Sequence, residues 1–394
     1  MPRKTNLFAA LILALMPPAF AETASCHAAA VSVLTAELPA RPFAAIPSAD
    51  GCTIYVSLVG QGKNAKGAIA VLKRDGDKLS AVRGVMVDPA PFGMVLSHDG
   101  ALLIAASGDG AVIYDAAKLL SGGDDAKLAH IHEGGIDAIY VNVTADDHYL
   151  FVSDEHSADI SVIDLAKERA ENFASDEVIG KIPTGRAPIA LVFSPDGKTL
   201  YTTSEIAPSA DWPRGCKAES PQQVDDHPQG AVIVIDVARA EQDPSDAVLK
   251  RVPAGCSPVR LALSADGTRL YASARDDDAV LVFDTAKLLT DPAAARLATV
   301  PVGTSPVGVA LVAGDKRLVV TNSARFASNR GENQSLSVID TDKVASGAAA
   351  VIGSIPAGAF PRELAVTADG KTLLVTNFGS NSIMLIDLAS ALAP

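Results

Sequence analysis

The sequence has 394 residues, too many for one ordinary compact core unless that core is built by repetition. Its hydrophobic content of 48% excludes an intrinsically disordered chain. The formal net charge of −13 argues against nucleic acid as a partner, because an acidic surface repels the phosphate backbone and leaves room only for a local basic patch.

The first 21 residues have the order of a secretory signal peptide. Arg3 and Lys4 give a basic start, and residues 7–16 form an apolar run too short to span a bilayer. The small-x-small sequence AFA then offers a cleavage site after residue 21, although an N-terminal anchor or a buried helix is an alternative. We predict that residues 22–394 form a periplasmic or secreted protein, without a membrane span and monomeric.

A short phrase recurs seven times along the chain, as in SPDGKTLYTTS from Ser194 and TADGKTLLVTN from Thr367. Successive copies start 47 to 55 residues apart, except for one step of 70 residues. A fixed period of this length is typical of a repeat architecture. The seven copies start at Ser48, Ser97, Thr144, Ser194, Ser264, Val312 and Thr367.

Each copy predicts four strands. Asp-Gly between two apolar runs indicates a hairpin, because glycine accepts the positive φ that a tight turn demands. A third strand follows and a fourth comes after it, which predicts an all-β fold, a seven-bladed β-propeller with four antiparallel strands per blade. An open solenoid is the alternative, but it would need distinct polar caps. The third strands end at Asp115, Asp164, Asp236, Asp284, Asp340 and Asp387.

The two ends of the chain predict closure of the ring. The last copy stops after its third strand, in SIMLIDLASALAP, while residues 29–38 offer an unused strand. Pairing these two segments would complete the seventh blade and leave no open edge. Residues 22–394 would then form a single domain.

Several stretches resemble the YVTN-type β-propeller repeat family, which is related to lactonase-like and cytochrome-d1-like propellers. The clearest are LLVTNFGSNSIMLID and LFVSDEHSADISVID. The resemblance covers nearly the whole mature chain and implies the fold more strongly than any function. A lactonase-like relative would need a histidine, an arginine and a carboxylate in its central funnel. A haem-d1 relative would need axial histidines on the inner strands, which have none here, so we expect no cofactor.

Arginines gather in the connections expected on one face, which we call the upper face and which lies opposite the Asp-Gly turns. Guanidinium groups bind carboxylates and phosphates in pairs of hydrogen bonds, so we expect a funnel for an anionic small molecule or an acidic segment of an envelope protein or peptide. The alternative is that these arginines pair with local acids such as Asp276, Glu332 and Glu363. The candidate ligand-binding residues are Arg41, Arg186, Arg260, Arg275, Arg325, Arg362 and Trp212.

The long fourth step places an insertion at residues 206–229, in the fourth blade and on the upper face. It is rich in proline and contains Trp212 and Cys216, so we interpret it as a lid or rim. Four cysteines in an exported protein suggest two disulfides among three connectivities. The strand order favours a disulfide between Cys216 and Cys256 on the upper face and one between Cys26 and Cys52 on the lower face.

The sequence leaves catalysis open. No established catalytic motif is present. The alternative to binding is a lactonase-like hydrolase or lyase, in which His156 and Glu155 of the upper loop SDEHSAD would act with funnel arginines. His227 in the insertion is a second possible base without a visible partner. His130 and His132 alternate on an outer strand, but no third ligand is evident, so no metal site is predicted.

Overall fold

The computed structural model describes residues 26, 32–60, 66–122, 125–208, 212–217, 226–329 and 331–392. The predicted signal peptide lies outside these residues. The described chain forms seven antiparallel sheets, which are the blades of a β-propeller, so the predicted fold is confirmed. None of the described helices is long and apolar enough to cross a membrane.

Each blade has strands A to D from the central channel outward, and the A strands of neighbouring blades contact one another. The A strands, the fourth of which is broken, are Arg41–Pro47, Pro91–Leu96, Ala138–Val143, Arg186–Pro188 with Val192–Phe193, Pro258–Leu263, Pro306–Val312 and Pro361–Val366. The B strands are Thr53–Val59, Leu102–Ser107, Tyr149–Asp154, Thr199–Ile206, Arg269–Ala274, Arg317–Asn322 and Thr372–Asn377. The C strands are Gly67–Asp75, Gly110–Asp115, Asp159–Asp164, Ala231–Asp236, Ala279–Asp284, Asn333–Asp340 and Ser382–Asp387. The D strands are Lys78–Val87, Lys127–His132, Val178–Pro183, Val248–Pro253, Arg296–Pro301, Val351–Ala359 and, for the seventh blade, Val33–Glu37.

The aspartate that ends a C strand also starts a helix, a role that the strand pattern did not predict. In blade 2 the Asp115 carboxylate accepts the N–H of Lys118 at 2.9 Å, which caps the helix. The α-helices that begin in this way are Ala116–Ser121, Leu165–Ala170, Val237–Ala240, Thr285–Thr290 and Leu388–Ala391. The 3₁₀ helices are Pro244–Asp246, Arg275–Asp277, Pro292–Ala294 and Thr341–Ala350.

The repeated Asp-Gly phrase forms the A-to-B turn. Gly197 has φ of 71°, in the left-handed region that favours glycine. Ser194 Oγ donates to the Asp196 carboxylate at 2.6 Å and accepts the N–H of Thr199 at 3.0 Å. The phrase therefore builds a self-contained turn, and its recurrence counts blades without specifying any chemistry.

The N-terminal strand closes the ring as predicted. Val33–Glu37 pairs antiparallel with Ser382–Asp387, the C strand of blade 7. A disulfide between Cys26 and Cys52 joins the segment before this strand to blade 1. The hydrophobic core is divided into clusters that each lie between two neighbouring blades, so every blade depends on both of its neighbours.

A buried hydroxyl on the B strand links each blade to the next, with one exception. Thr376 Oγ1 accepts the N–H of Glu363 in its own blade at 3.0 Å and donates to the Phe43 carbonyl of blade 1 at 3.2 Å. Blade 2 has Ala106 at this position. The hydroxyls that donate to the carbonyl of the following blade are those of Ser57, Ser153, Thr203, Ser273, Thr321 and Thr376. The threonine of the VTN motif is therefore a bridge between blades.

We expect Thr376→Val to lower the free energy of unfolding by about 2 kcal/mol, because it leaves a buried N–H and a buried carbonyl without their shared partner. Urea denaturation followed by circular dichroism measures the change. Thr199→Val, at the half-buried start of a B strand, is the matched control and should leave stability close to that of wild type. Equal stability of both variants would show that the bridge at blade 7 does not stabilise the ring.

Blade 3 carries a buried acid where blades 6 and 7 carry asparagine. Asn322 and Asn377 each accept the N–H of a glycine near the end of the preceding blade's D strand, whereas Asp154 at the same register lies beside Glu133. Ser161 and Lys181 contact Glu133 at 2.5 and 3.0 Å. Burial, and then the neighbouring Glu133 carboxyl, raises the pKa of Asp154 to about 9, so that Asp154 holds a proton at neutral pH.

This raised pKa makes stability depend on pH. An acid protonated in the folded state but ionised in the unfolded state above about pH 4 destabilises the fold increasingly as pH rises toward the folded pKa. We expect Asp154→Asn to remove this loss, so that its stability relative to wild type grows between pH 6 and about pH 9. Urea titrations across this range measure it, with Glu332→Gln, an exposed acid outside this cluster, as the control. A wild-type slope retained in Asp154→Asn would contradict the assignment.

Candidate functional site

A cavity of about 350 Å³ opens at the upper end of the central channel. Its floor is a ring of seven residues, one from each blade. Each is the residue directly after the first proline of its A strand, and in blade 3 Ala138 takes the place of that proline. In six blades this residue is apolar, and the six are Phe43, Phe92, Ile139, Ile189, Val259 and Val307. The seventh is Arg362, so the repeat places one cation in an otherwise apolar ring.

Arg362 is buried against aromatic rings and has no anionic partner among the described residues. Only 8% of the residue is exposed, and its guanidinium carbon lies 3.8 Å from the centre of the Phe43 ring. Phe360 and Phe378 lie 5.9 and 5.8 Å away, and Nε has no hydrogen-bond partner within the described part of the chain. Burial, together with Arg260 and Arg325, lowers the pKa of Arg362 to about 10, which leaves it charged at neutral pH.

A second layer lies one residue further along the A strands. Arg260 from blade 5 binds Glu363 from blade 7, with Nε and Nη2 at 2.7 and 2.6 Å from the carboxylate. The Arg260 guanidinium also stacks 3.8 Å from the centre of the Tyr140 ring of blade 3. A side chain at Gly93 would come within 2.7 Å of Tyr140, so glycine there makes room for the ring. Three large side chains thus fill the channel beneath the cavity.

Acidic side chains from blades 3 and 4 line the part of the cavity wall opposite Arg362. Glu205 is held by Arg275 through two hydrogen bonds of 2.9 and 3.0 Å. Burial would raise the pKa of Glu205, but this ion pair outweighs it and keeps the pKa below its usual value. Glu155 has no such bidentate partner among the side chains that the structure describes, and burial, followed by repulsion from Glu205, raises its pKa.

The structure brings some of the six candidate arginines together at the cavity. Arg362 and Arg325 line it, and Arg41 lies at its edge, 5.4 Å from the Phe378 ring. Arg260 and Arg275 are buried in ion pairs with Glu363 and Glu205, so local pairing, the alternative considered for all of them, applies to these two. Arg186 is exposed and does not line the cavity.

The candidate base His156 does not line the cavity. Its side chain is 63% exposed, and Nδ1 lies 2.9 Å from Asp137, whose own side chain does reach the wall. Glu155, the preceding residue, also reaches the wall. His227 is buried in the insertion, where Nδ1 lies 2.8 Å from the Pro228 carbonyl. The proposed pair of His156 and Glu155 is therefore split between the rim and the cavity.

The described part of the insertion packs against the blades and does not line the cavity. Trp212 contacts the apolar cluster between blades 3 and 4, and its Nε1 donates to the Gly230 carbonyl at 3.4 Å. A disulfide joins Cys216 to Cys256 in the connection between blades 4 and 5, so the strand order predicted both cysteine pairs. Trp212 is thus placed as a packing residue, whereas the sequence pattern suggested a ligand contact.

Sequence reasoning missed the aromatic part of the site. Phe43, Phe360 and Phe378 surround Arg362, and Phe92 packs against Phe43 with ring centres 5.1 Å apart. Aromatic residues are only 5% of the chain, and their clustering depends on ring closure. A signal was present: the motifs RPF, APF, SPV and FPR align the ring residue directly after proline. An alignment of the seven repeats at the position after this proline identifies Arg362 as the one charged residue among apolar ones.

Comparison with known proteins agrees with this architecture. The family model described as "Lactonase, 7-bladed beta-propeller" matches residues 123–324. Hydrazine synthase from Kuenenia stuttgartiensis aligns with a TM-score of 0.66 and 18% identity, over 90% of this chain and 97% of that chain. A chain of a mitotic checkpoint complex aligns with a TM-score of 0.65 and 16% identity, over 97% and 99%. At these identities the two structures show the fold alone, and a search of curated proteins found no match.

The family match spans blades 2 to 6 and just over half of the 394 residues. The sheets observed here are the seven blades that its description names. The protein therefore belongs to the lactonase-type family of seven-bladed β-propellers.

Proposed function

We propose that the protein binds a small anionic molecule in the central cavity, with the anionic group on Arg362. The observation that carries this proposal is a buried guanidinium with no ion pair among the described residues. Burying an unpaired charge costs free energy, and a bound anion would offset that cost. Nη1 of Arg260, in the layer beneath the cavity, is also buried and has no hydrogen-bond partner among the described residues.

The cavity walls favour a ligand with an apolar or aromatic body. Phe43 and Phe378 present ring surface beside the Arg362 guanidinium, and Phe92 lines the same cavity. The volume of about 350 Å³ lies at the lower end of the range for small-molecule sites. We therefore favour a small aromatic carboxylate over an acidic peptide segment, which would have to remain at the mouth.

The acids of the cavity do not cancel this positive site. Glu205 is neutralised by Arg275, and Asp137 contacts His156. Glu155 remains, and its raised pKa reflects how poorly the site tolerates its charge. Arg325 and Arg362 face it from the same cavity.

Export of the protein forms part of the proposal. Disulfides persist in oxidising compartments such as the periplasm or the extracellular space, and both cysteine pairs are bonded here. The binding function would then operate outside the cytoplasm, as a periplasmic or secreted protein.

Hydrolysis of a lactone in the same cavity is the second candidate, which the family match and Glu155 favour. A carboxylate with a raised pKa could take a proton from water. The water oxygen would attack the ring carbonyl, the ring C–O bond would break, and the released alkoxide would take up the proton. The product would be a hydroxy acid whose carboxylate suits Arg362.

Phenylacetate tests the binding proposal because it joins an aromatic ring to a carboxylate. We expect wild type to bind phenylacetate and not its neutral analogue phenylacetamide. Arg362→Gln should weaken binding roughly tenfold or more, since a hydrogen bond to a charged group contributes about 1.5–3 kcal/mol. Isothermal titration calorimetry measures both ligands.

Two further variants make this test specific. Arg186→Gln removes an exposed arginine outside the cavity and should bind like wild type. Arg362→Lys keeps the charge but loses the planar fork, so an intermediate affinity is expected. Equal binding of phenylacetate and phenylacetamide, or full affinity in Arg362→Gln, would overturn the proposal.

Glu155→Gln should tighten phenylacetate binding at pH 7, because it removes a negative charge that repels the bound carboxylate. The pKa of Glu155 is raised, so wild-type affinity should increase as pH falls toward it, while the ligand stays ionised above about pH 5. The variant should lack this pH dependence. Calorimetry from pH 5 to 8 measures it, and Glu332→Gln, an exposed rim acid, is the control.

The same variant separates the two candidate functions. Lactone turnover by wild type that is lost in Glu155→Gln would support hydrolysis. Tighter phenylacetate binding without turnover would support binding alone. Weaker binding in Glu155→Gln would contradict the assigned charge balance of the cavity.

A further inference from the structure

We propose a zinc site at the outer edge of blade 2, formed by Asp109, His130 and His132. It lies outside the central cavity and goes beyond the proposed function. The two histidines are on strand D, and the aspartate is in the connection between strands B and C. This connection supplies the third ligand that the His-x-His spacing by itself lacked.

The geometry of blade 2 brings the three side chains together. Ser107 pairs with Gly110, so strands B and C are joined by a two-residue hairpin with Asp109 at its tip. His130 and His132 point to the same face because they are two residues apart on one strand. Gly110 faces His132 across the C and D strands, and this register places the hairpin tip beside both imidazoles.

The distances fit a metal ion with little movement. His132 Nδ1 lies 3.1 Å from both oxygens of Asp109, and His130 Nε2 lies 3.6 Å from Oδ1. One ligand atom from each residue lies within 4.8 Å of the others. Bonds of about 2.0–2.1 Å in a tetrahedral site place the ligand atoms roughly 3.3 Å apart, close to the observed spacing.

The donor set decides which metal is favoured. Two imidazole nitrogens and one carboxylate suit Zn²⁺ and other late first-row ions, whereas Ca²⁺ and Mg²⁺ prefer oxygen ligands alone. Asp109 and His132 are about half exposed and His130 is 13% exposed, so an ion can reach the site from solvent. Three protein ligands leave a fourth position open to water or to a ligand from another molecule.

The surroundings support the bound geometry. Asp176 Oδ1 accepts the backbone N–H of His132 at 3.2 Å, which ties the strand to blade 3 and adds negative charge near the site. His130 Nε2 lies 3.3 Å from the Ser107 carbonyl. When Nε2 binds the ion, the neutral imidazole carries its proton on Nδ1, so the contact with the Ser107 carbonyl is exchanged for the bond to the metal.

Zn²⁺ titration of the full chain by calorimetry tests the site. We expect one Zn²⁺ per chain in wild type, with no saturable response to Mg²⁺ or Ca²⁺. His132→Ala and Asp109→Asn should each weaken binding about tenfold or more, since even the outer partners of metal ligands contribute that much. Co²⁺ substitution should give the visible absorption of a tetrahedral site in wild type.

Control variants keep the test independent of folding. His148→Ala removes a histidine that also contacts a single aspartate, Asp146 at 3.3 Å, and should bind Zn²⁺ like wild type. Asp109→Asn alters an exposed hairpin tip, so circular dichroism should match that of wild type. No saturable Zn²⁺ binding in wild type, or unchanged affinity in the double variant His130→Ala/His132→Ala, would overturn the proposal.

Discussion

The structure depends on one hydrogen-bonded bridge repeated around the ring. In five of the seven blades, a hydroxyl on strand B accepts an N–H from the A strand of its own blade and donates to a carbonyl of the next blade. Both groups are buried, so leaving either without a partner would cost free energy. The bridge therefore fixes the position of each innermost strand against its neighbour, and the apolar clusters between blades fill in around it.

The bulge on the A strands determines what the channel presents. In most blades the register shifts near the start of the A strand, and two consecutive side chains face the axis. Seven blades thus supply two stacked layers of equivalent positions. A layer whose side chains are all apolar or small contributes packing alone. Arg362 in the upper layer, and Arg260 with Tyr140 in the lower, are departures from that rule and mark where function should be sought.

The arginines that are equivalent in the sequence pattern differ in whether an acidic side chain pairs with them. Arg275 and Arg260 are matched by Glu205 and Glu363 in short, buried ion pairs, which contribute order to the channel. Arg362 has rings in place of an acid. A guanidinium stacked on aromatic faces keeps its charge and remains available to an anion, because cation–π contacts leave its N–H groups free to donate.

Local patterns were enough to predict the propeller. The Asp-Gly turn, the alternating strand after it and the spacing of the copies are properties of short segments. They predicted the blade number, a closing strand within residues 29–38 and both cysteine pairs. The helix caps at the ends of the C strands were missed, although the same aspartates were noticed, because capping and strand termination use the same residue.

The site was only half visible in the sequence. The chain by itself determined that arginines enter the upper connections and that His156 follows Glu155. Tertiary structure alone decided that Arg362 is the buried member without an acid, that Glu155 faces the cavity while His156 points to the rim, and that Asp109 meets His130 and His132. The physical reason is that strands and turns depend on hydrogen bonds and side-chain alternation within short segments. Pairing among charged groups depends on distances between blades that are far apart in the chain.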